Sequence, residues 1–347
     1  MIITYFRSSS FNTHESCEQR YFMEYVLGWR GKSNIKADKG TIVHKILEIL
    51  AMIKFAKQNK EQSIKDDIVG EVSVKKYDLD QIINIVYDYY SSANPHHKWS
   101  DKDRKDCKDW TYKTIQFNNG MFDPRNRTIV CPEQQFDFEI KKPWAKYEYD
   151  TPEGKISGNL AMKGTIDLIT KVDDNFYEII DWKTGARKNW TTGEEKTQEK
   201  LEKDPQLMIY YYAAQHIYPD VENIMLTINF INDGGPFSIC FGKKDIKEIE
   251  RMLRDRFEKI KQTTKPQLNK TWMCNRLCHF GKNSFDTEGI HTITEYRNGQ
   301  VVPIDKPMTM CEQIKHDIDI KGMDAVVEEY TKPNFTVGHY KAPGSTE

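Results

Sequence analysis

Asp167, Asp181 and Lys183 are the residues of this chain whose types and spacing most directly imply chemistry. Asp181 and Lys183 stand two positions apart in the run Ile179-Ile180-Asp181-Trp182-Lys183-Thr184-Gly185, so an extended strand turns both to one face and Trp182 to the other. Asp167 lies in a preceding β-branched, apolar run from Thr165 to Val172, and Asp173-Asp174-Asn175 between the two runs is a turn cluster. A hairpin of this kind brings the two acids together. Carboxylates from neighbouring strands are hard oxygen ligands suited to Mg²⁺ or Mn²⁺, ions that keep waters and accept phosphate oxygens. An adjacent ammonium can orient an attacking water and offset charge developing on phosphate. On an exposed hairpin the same Asp-x-Lys would be an ion pair worth about 0–1 kcal/mol. The apolar pair Ile179-Ile180 argues instead for a buried strand, where an acid and a lysine need partners.

Gly164-Thr-Ile-Asp167 followed by Ile179-Ile-Asp181-Trp-Lys183-Thr-Gly185 resembles the core of RecB-type nucleases of the PD-(D/E)XK superfamily, the CRISPR-associated exonucleases among them. Two further segments fit. Gly40 to Asn59 carries an apolar stripe at helical spacing (Ile42, Val43, Ile46, Leu47, Leu50, Ile53), with His44 and Glu48 on another face. A lone helical histidine is ordinarily structural, but Gly40-Thr-Ile-Val-His44 is similar to the family's Gly-x-x-x-His helix. Asp204-Pro205-Gln206 opens another helix, with Gln206 and Tyr210 four apart on one face, similar to the family's Gln-x-x-x-Tyr motif.

The resemblance implies an α/β fold with a central mixed β-sheet flanked by helices, and a metal-dependent deoxyribonuclease. His44, Asp167, Asp181 and the main-chain carbonyl of Trp182 are then the ligands of Mg²⁺ or Mn²⁺, with Glu48 second in line. Lys183 positions the attacking water, and Gln206 and Tyr210 hold the DNA. Exonuclease action on DNA ends or single strands is implied, in replication, recombination or DNA degradation. A structure-specific or restriction-type endonuclease and a non-catalytic DNA-binding subunit are the alternatives.

Seven cysteines without a secretory signal argue against a disulfide framework. Cys274 and Cys278 are close in sequence, and Cys17 falls in an aromatic helical segment after Ser8-Ser9-Ser10, where Ser10 is expected to cap the helix. In several RecB-like branches an N-terminal cysteine joins a C-terminal group around a 4Fe–4S cluster. The resemblance makes Cys17, Cys274 and Cys278 three of its ligands, with His279, Cys240 or Cys311 as the fourth. The third C-terminal cysteine of the family is missing and the pair is one residue wider, so Zn²⁺ and plain burial stay open.

The remaining elements frame these residues. From about 60 to 120 the chain reads as a polar helical insertion, Leu79–Ser91 and Asp103–Phe117, broken at Pro95-His96-His97, whose imidazoles are expected to be solvated. Strands are expected at 128–131 and 133–140, where Glu133 or Glu139 is a candidate to approach the metal but alternation favours the solvated face, then at 155–160, 223–231 and 237–241, and a helix at 245–262. Arg187 to Lys203 lacks an apolar period and reads either as a loop touching phosphates through Arg187, Lys188, Lys196 or Lys200, or as a solvated linker. Residues 1–286 form the expected nuclease domain, and 287–347 a C-terminal extension with a turn at Asn298-Gly299, helical character from Cys311 to Tyr330 and a flexible end. A net charge of −1 gives no global basic signature, so DNA binding would rest on a local patch and bound cations. No apolar run is long enough to span a membrane and no signal peptide is evident, so a cytoplasmic protein is expected.

Overall fold

The computed structural model describes residues 1–151, 154–188, 193–289, 291–297 and 300–333. The expected turn at Asn298-Gly299 and the expected flexible end from residue 334 lie outside them. The chain divides into two compact units, one of residues 33–136 and 164–249, the other of residues 1–32, 137–163 and 250–347.

The unit of residues 33–136 and 164–249 holds a mixed sheet. Its strands are β1 (Ile129–Glu139), β2 (Ala161–Asp173, in this unit from Gly164), β3 (Phe176–Lys183), β4 (Asn223–Phe230) and β5 (Gly235–Gly242). β2 and β3 are antiparallel, β3 and β4 parallel, β4 and β5 antiparallel, and β1 also pairs with β2. Its helices are α1 (Ile35–Gln58), α2 (Leu79–Ala93), α3 (Asp101–Gln116) and α4 (Pro205–Ile217). Ile42, Val43, Ile46, Leu47 and Leu50 of α1 bury their stripe against Ile82, Ile83 and Val86 of α2 and against Leu168, Ile180 and Trp182 of the hairpin, forming one core. This is the α/β arrangement expected from the sequence, a mixed sheet flanked by helices. α1 begins earlier than the apolar stripe suggested, because the Asn34 side chain accepts from Ala37 N at 3.0 Å and caps it.

Two local readings change. The insertion is not wholly helical: Ser63–Asp66 and Gly70–Ser73 form a small hairpin, with Ile64 and Val72 buried in the core. The strand from Ile129 runs unbroken to Glu139, but Glu133, just after Pro132, takes φ +50°, a left-handed kink that interrupts the alternation on which its solvated placement rested.

The unit of residues 1–32, 137–163 and 250–347 contains the helix Ser8–Ser16, in which Arg7 rather than Ser10 is the cap residue. Ser10 sits at the third helical position, its hydroxyl accepting from Arg7 N at 2.9 Å. Tyr5–Phe6 lies parallel to the first residues of β2. The helix breaks at Cys17, whose backbone is extended, before restarting at Glu18. The expected C-terminal helix is two, Met310–Lys321 and Met323–Tyr330, because Gly322 between them takes φ +86°. Among the described residues no helix is long and apolar enough to cross a membrane.

Candidate active site

The hairpin register explains how the two acids meet. Leu168 pairs with Ile180, so the next residues outward, Asp167 and Asp181, fall opposite one another. Asp167 Oδ2 accepts from the main-chain N–H of Trp182 at 3.0 Å and lies 3.3 Å from His44 Nδ1. Asp181, 2% exposed, accepts at Oδ1 from Lys183 Nζ at 2.8 Å and from Gln206 Nε2 at 3.0 Å. Gln206 Nε2 also reaches Tyr210 Oη at 2.9 Å, which ties the first two turns of α4 to the end of β3. Trp182 turns to the opposite face and is 1% exposed in the core, as period two requires. The structure thus brings His44, Asp167, Asp181, Lys183, Gln206 and Tyr210 to one place.

Gly40 explains the spacing on α1. A Cβ there would stand 2.8 Å from Thr184 Oγ1, so the missing side chain lets the helix approach the end of β3. One turn further on, His44 is thereby carried to Asp167. Asp204 caps α4 by accepting from Gln206 N at 2.9 Å, which sets where Gln206 and Tyr210 face.

Crowding of charge is the electrostatic theme. Burial pushes the Asp181 carboxyl above its ordinary value, with Lys183 pulling it down and Asp167 pushing it further up. Burial also opposes ionisation of Asp167, but the facing His44 and Lys183 outweigh it and hold this carboxyl below the usual range. Burial lowers the Lys183 ammonium, yet Asp181, Tyr210 and Asp167 outweigh that and its pKa is raised, so it stays charged. Two carboxylates and an imidazole crowded in this way form a donor set that a divalent cation fits, since its charge relieves the repulsion that raises Asp181.

Sequence reasoning favoured the solvated face for Glu133, which the structure half-buries. The left-handed backbone at Glu133 turns this side chain into half-buried surroundings, where burial, Glu48 and Asp167 push it up to about 7. Pro132 before it was the available signal, because a proline inside a strand marks an edge or a bulge. Glu48 itself is engaged by Lys45 Nζ at 2.8 Å, and Lys45 also holds Asp66 at 2.7 Å. Three of the loop cations are paired: Arg187 with Glu195, Lys196 with Asp204 at 2.8 Å and Lys200 with Glu194 at 2.7 Å. Residues 189–192 of that loop lie outside the described residues.

The chain from Ser8 to Lys282 matches the model of the PD-(D/E)XK nuclease superfamily. The chain belongs to the PD-(D/E)XK nuclease superfamily. No curated protein matches it. Among solved structures it is similar to a protein named "Putative exonuclease" from Eubacterium rectale, at 12% identity over 79% of this chain and 87% of that one, with a TM-score of 0.42. It is also similar to Rai1 of Scheffersomyces stipitis, at 8% identity over 90% and 78%, with a TM-score of 0.20. At such TM-scores neither likeness adds to the family assignment. Membership implies a metal-dependent nuclease with nucleic acid as the substrate class.

In this superfamily member the other unit gathers four cysteines. Cys278 caps the short helix His279–Lys282, and a Cβ on Gly281 would stand 2.5 Å from Cys274 O, so the glycine lets this segment fold tightly back on the helix that bears Cys274. Met310 N donates to Asn283 O at 2.7 Å, which draws the next helix and Cys311 to Cys278. Cys311 Sγ donates to Met23 Sδ at 3.8 Å, the neighbouring Cys311 holds the Cys278 thiol below its ordinary value, and Cys278, Cys17 and Cys274 all act electrostatically on Cys311. All four are free thiols. Of the three candidates for a fourth ligand, Cys311 is thus the one whose electrostatics are tied to Cys278, Cys17 and Cys274. Cys240 is an exposed residue of β5, and His279 Nδ1 is 3.0 Å from Asn283 Nδ2.

Proposed function

We propose that this protein is a deoxyribonuclease dependent on Mg²⁺ or Mn²⁺, acting as an exonuclease on DNA ends or single strands in replication, recombination or DNA degradation. The observation that carries this reading is the convergence of Asp167 and Asp181 from one hairpin with His44 and Lys183, in a chain of a nuclease superfamily. His44, Asp167, Asp181 and the Trp182 carbonyl would hold the cation, with Glu133 facing the same cluster. When bound, the cation supplies Lewis-acid neutralisation of the scissile phosphate and a more acidic water. Lys183 holds a water by its N–H bonds and offsets charge on the phosphate oxygens. Gln206, fixed by Asp181 and Tyr210, presents its amide toward the strand, and Tyr210 keeps that amide oriented.

The test is digestion of end-labelled linear single- and double-stranded DNA beside a closed circle, with Mg²⁺, Mn²⁺ or EDTA. Metal-dependent loss of the linear DNA with the circle spared is expected. Cutting of the circle would replace the exonuclease with an endonuclease, and tight DNA binding without cleavage would replace the enzyme with a binding subunit.

The reading extends to Cys17, Cys274, Cys278 and Cys311 as thiolate ligands of one structural metal centre, a 4Fe–4S cluster or Zn²⁺. Anaerobically purified protein is expected to contain either iron and sulfide with visible charge-transfer absorption or about one zinc, and Cys311→Ser to lose most of it. Full metal content in Cys311→Ser would remove that residue from the set.

A further inference from the structure

Asp38, His96 and His97 form a second group of potential ligands, built from the start of α1 and the loop joining α2 to α3. Each offers one ligand atom, and these atoms all lie within 4.8 Å of one another. Asp38 is 8% exposed, and its Oδ2 accepts from Ser33 Oγ at 2.8 Å and stands 2.7 Å from His97 Nε2. The two imidazole rings are 4.0 Å apart between centroids. His97 is partly buried rather than solvated, with Trp99 packed edge-on against it at 5.6 Å, and Trp99 Nε1 donates to Asn94 O at 3.0 Å, which fixes the loop. The adjacent cation is engaged elsewhere: Lys39 Nζ holds Asp103 at 3.0 Å and Asp106 at 2.8 Å.

We propose that Asp38, His96 and His97 bind one divalent transition-metal ion of the Zn²⁺, Co²⁺ or Ni²⁺ class. Two imidazoles with a carboxylate suit these ions, whereas Mg²⁺ and Ca²⁺ prefer sets made of oxygen. Three protein ligands leave a coordination position for water. Binding replaces the hydrogen bond between His97 Nε2 and Asp38 Oδ2, the neutral imidazole carrying its one proton on Nδ1 and offering Nε2 to the ion. The ion clasps the α2–α3 loop to the first turn of α1, the helix that carries His44 six residues further on, about 9 Å along its axis at 1.5 Å per residue. The site is separate from the hairpin cluster, and its ion steadies the helix on which that cluster depends.

The test titrates the full-length Asp181→Asn protein with Co²⁺, against the same protein carrying His96→Ala or His97→Gln. One Co²⁺ is expected to bind without the sulfur-to-cobalt charge-transfer band that cysteine ligation gives. His97→Gln retains a donor for Asp38, so the clasp hydrogen bond survives while the imidazole ligand is lost, and circular dichroism checks the fold. Each histidine variant is expected to weaken this Co²⁺ by about tenfold or more, in line with the sensitivity of metal sites to their ligand environment, and to abolish the Co²⁺-induced rise in Tm. Unchanged affinity and an unchanged Tm shift in both variants would overturn the site. DNA cleavage plays no part in the readout, so the result stands apart from the assignment of the hairpin cluster.

Discussion

Asp181→Asn is expected to reduce cleavage of DNA by about 10³-fold or more, at the upper end of what losing one pre-organised stabilising group costs, while leaving the protein folded. The substitution keeps the shape of the side chain and an oxygen for Lys183 Nζ and Gln206 Nε2, which stand 2.8 and 3.0 Å away, but removes the charge. The sign of the stability effect separates this account from simple damage. The folded-state pKa of Asp181 is raised, by burial first and by Asp167, so its protonated form is favoured by folding. That contribution is present at acid pH and lost as pH rises through the folded value. At neutral pH in EDTA, ionised Asp181 therefore weakens the native state, and Asp181→Asn should melt at the same temperature as wild type or higher. Adding Mn²⁺ should reverse the order. An ion that binds only the folded protein contributes about 2.7 kcal/mol at a hundred times its Kd, and the variant forfeits much of this. Melting curves with EDTA and with Mn²⁺, beside the digestion assay, check both halves. An equal Mn²⁺ shift in the two proteins would remove Asp181 from the ligand set, and a variant that melts lower in EDTA would make it a structural residue.

The hairpin was legible because everything that defines it is local. Alternation, the turn cluster Asp173-Asp174-Asn175 and a single i,i+2 spacing placed Asp181 and Lys183 on one face and Trp182 in the core, and the i,i+4 spacings on α1 and α4 oriented His44 and the Gln206–Tyr210 pair. The expectation of a mixed sheet between helices followed from the same periodicities joined to the family resemblance. What escaped was non-local or broke a local rule. Glu133 sits at a left-handed kink, so counting by two sends it to the wrong face. The choice among His279, Cys240 and Cys311 stayed open, because the Met310 N to Asn283 O bond joins a segment that no pattern connects. His97 meets Asp38 through the packing of the α2–α3 loop on α1, a contact between residues 59 positions apart. The hairpin of Ser63–Asp66 and Gly70–Ser73 is short, with one buried apolar side chain in each strand, and its composition resembled the helices around it. The polar face of a strand and the tip of a loop take their meaning from what packs on them, which the linear pattern does not carry.

Lys183→Ala is expected to lower kcat by about 10²–10³-fold, the usual cost of removing one group aimed at developing charge, while KM and metal affinity change little. The ammonium is 35% exposed beside a carboxylate that is 2% exposed, so it stands at the rim of the cluster rather than inside it. Its removal leaves Asp181 without one hydrogen bond but spares the His44–Asp167 contact and the Gln206 amide. Burial acts to lower its pKa, but Asp181, Tyr210 and Asp167 raise it above the ordinary lysine value. With its pKa raised, Lys183 is expected to meet the substrate as an ammonium, and the expected contribution is electrostatic and orienting. The pH–rate profile distinguishes the two roles. With an orienting cation, the variant loses rate by a constant factor between pH 6 and 9, roughly the span over which a lysine stays charged, and its profile keeps the wild-type shape. With a general base, the wild-type profile would carry a limb that the variant lacks, and added primary amines would restore activity most strongly at high pH. Calorimetric titration of Mn²⁺ into Lys183→Ala supplies the second arm. A tenfold loss of affinity would place the lysine among the groups that build the metal site, and a full wild-type rate would end its assignment to the reaction.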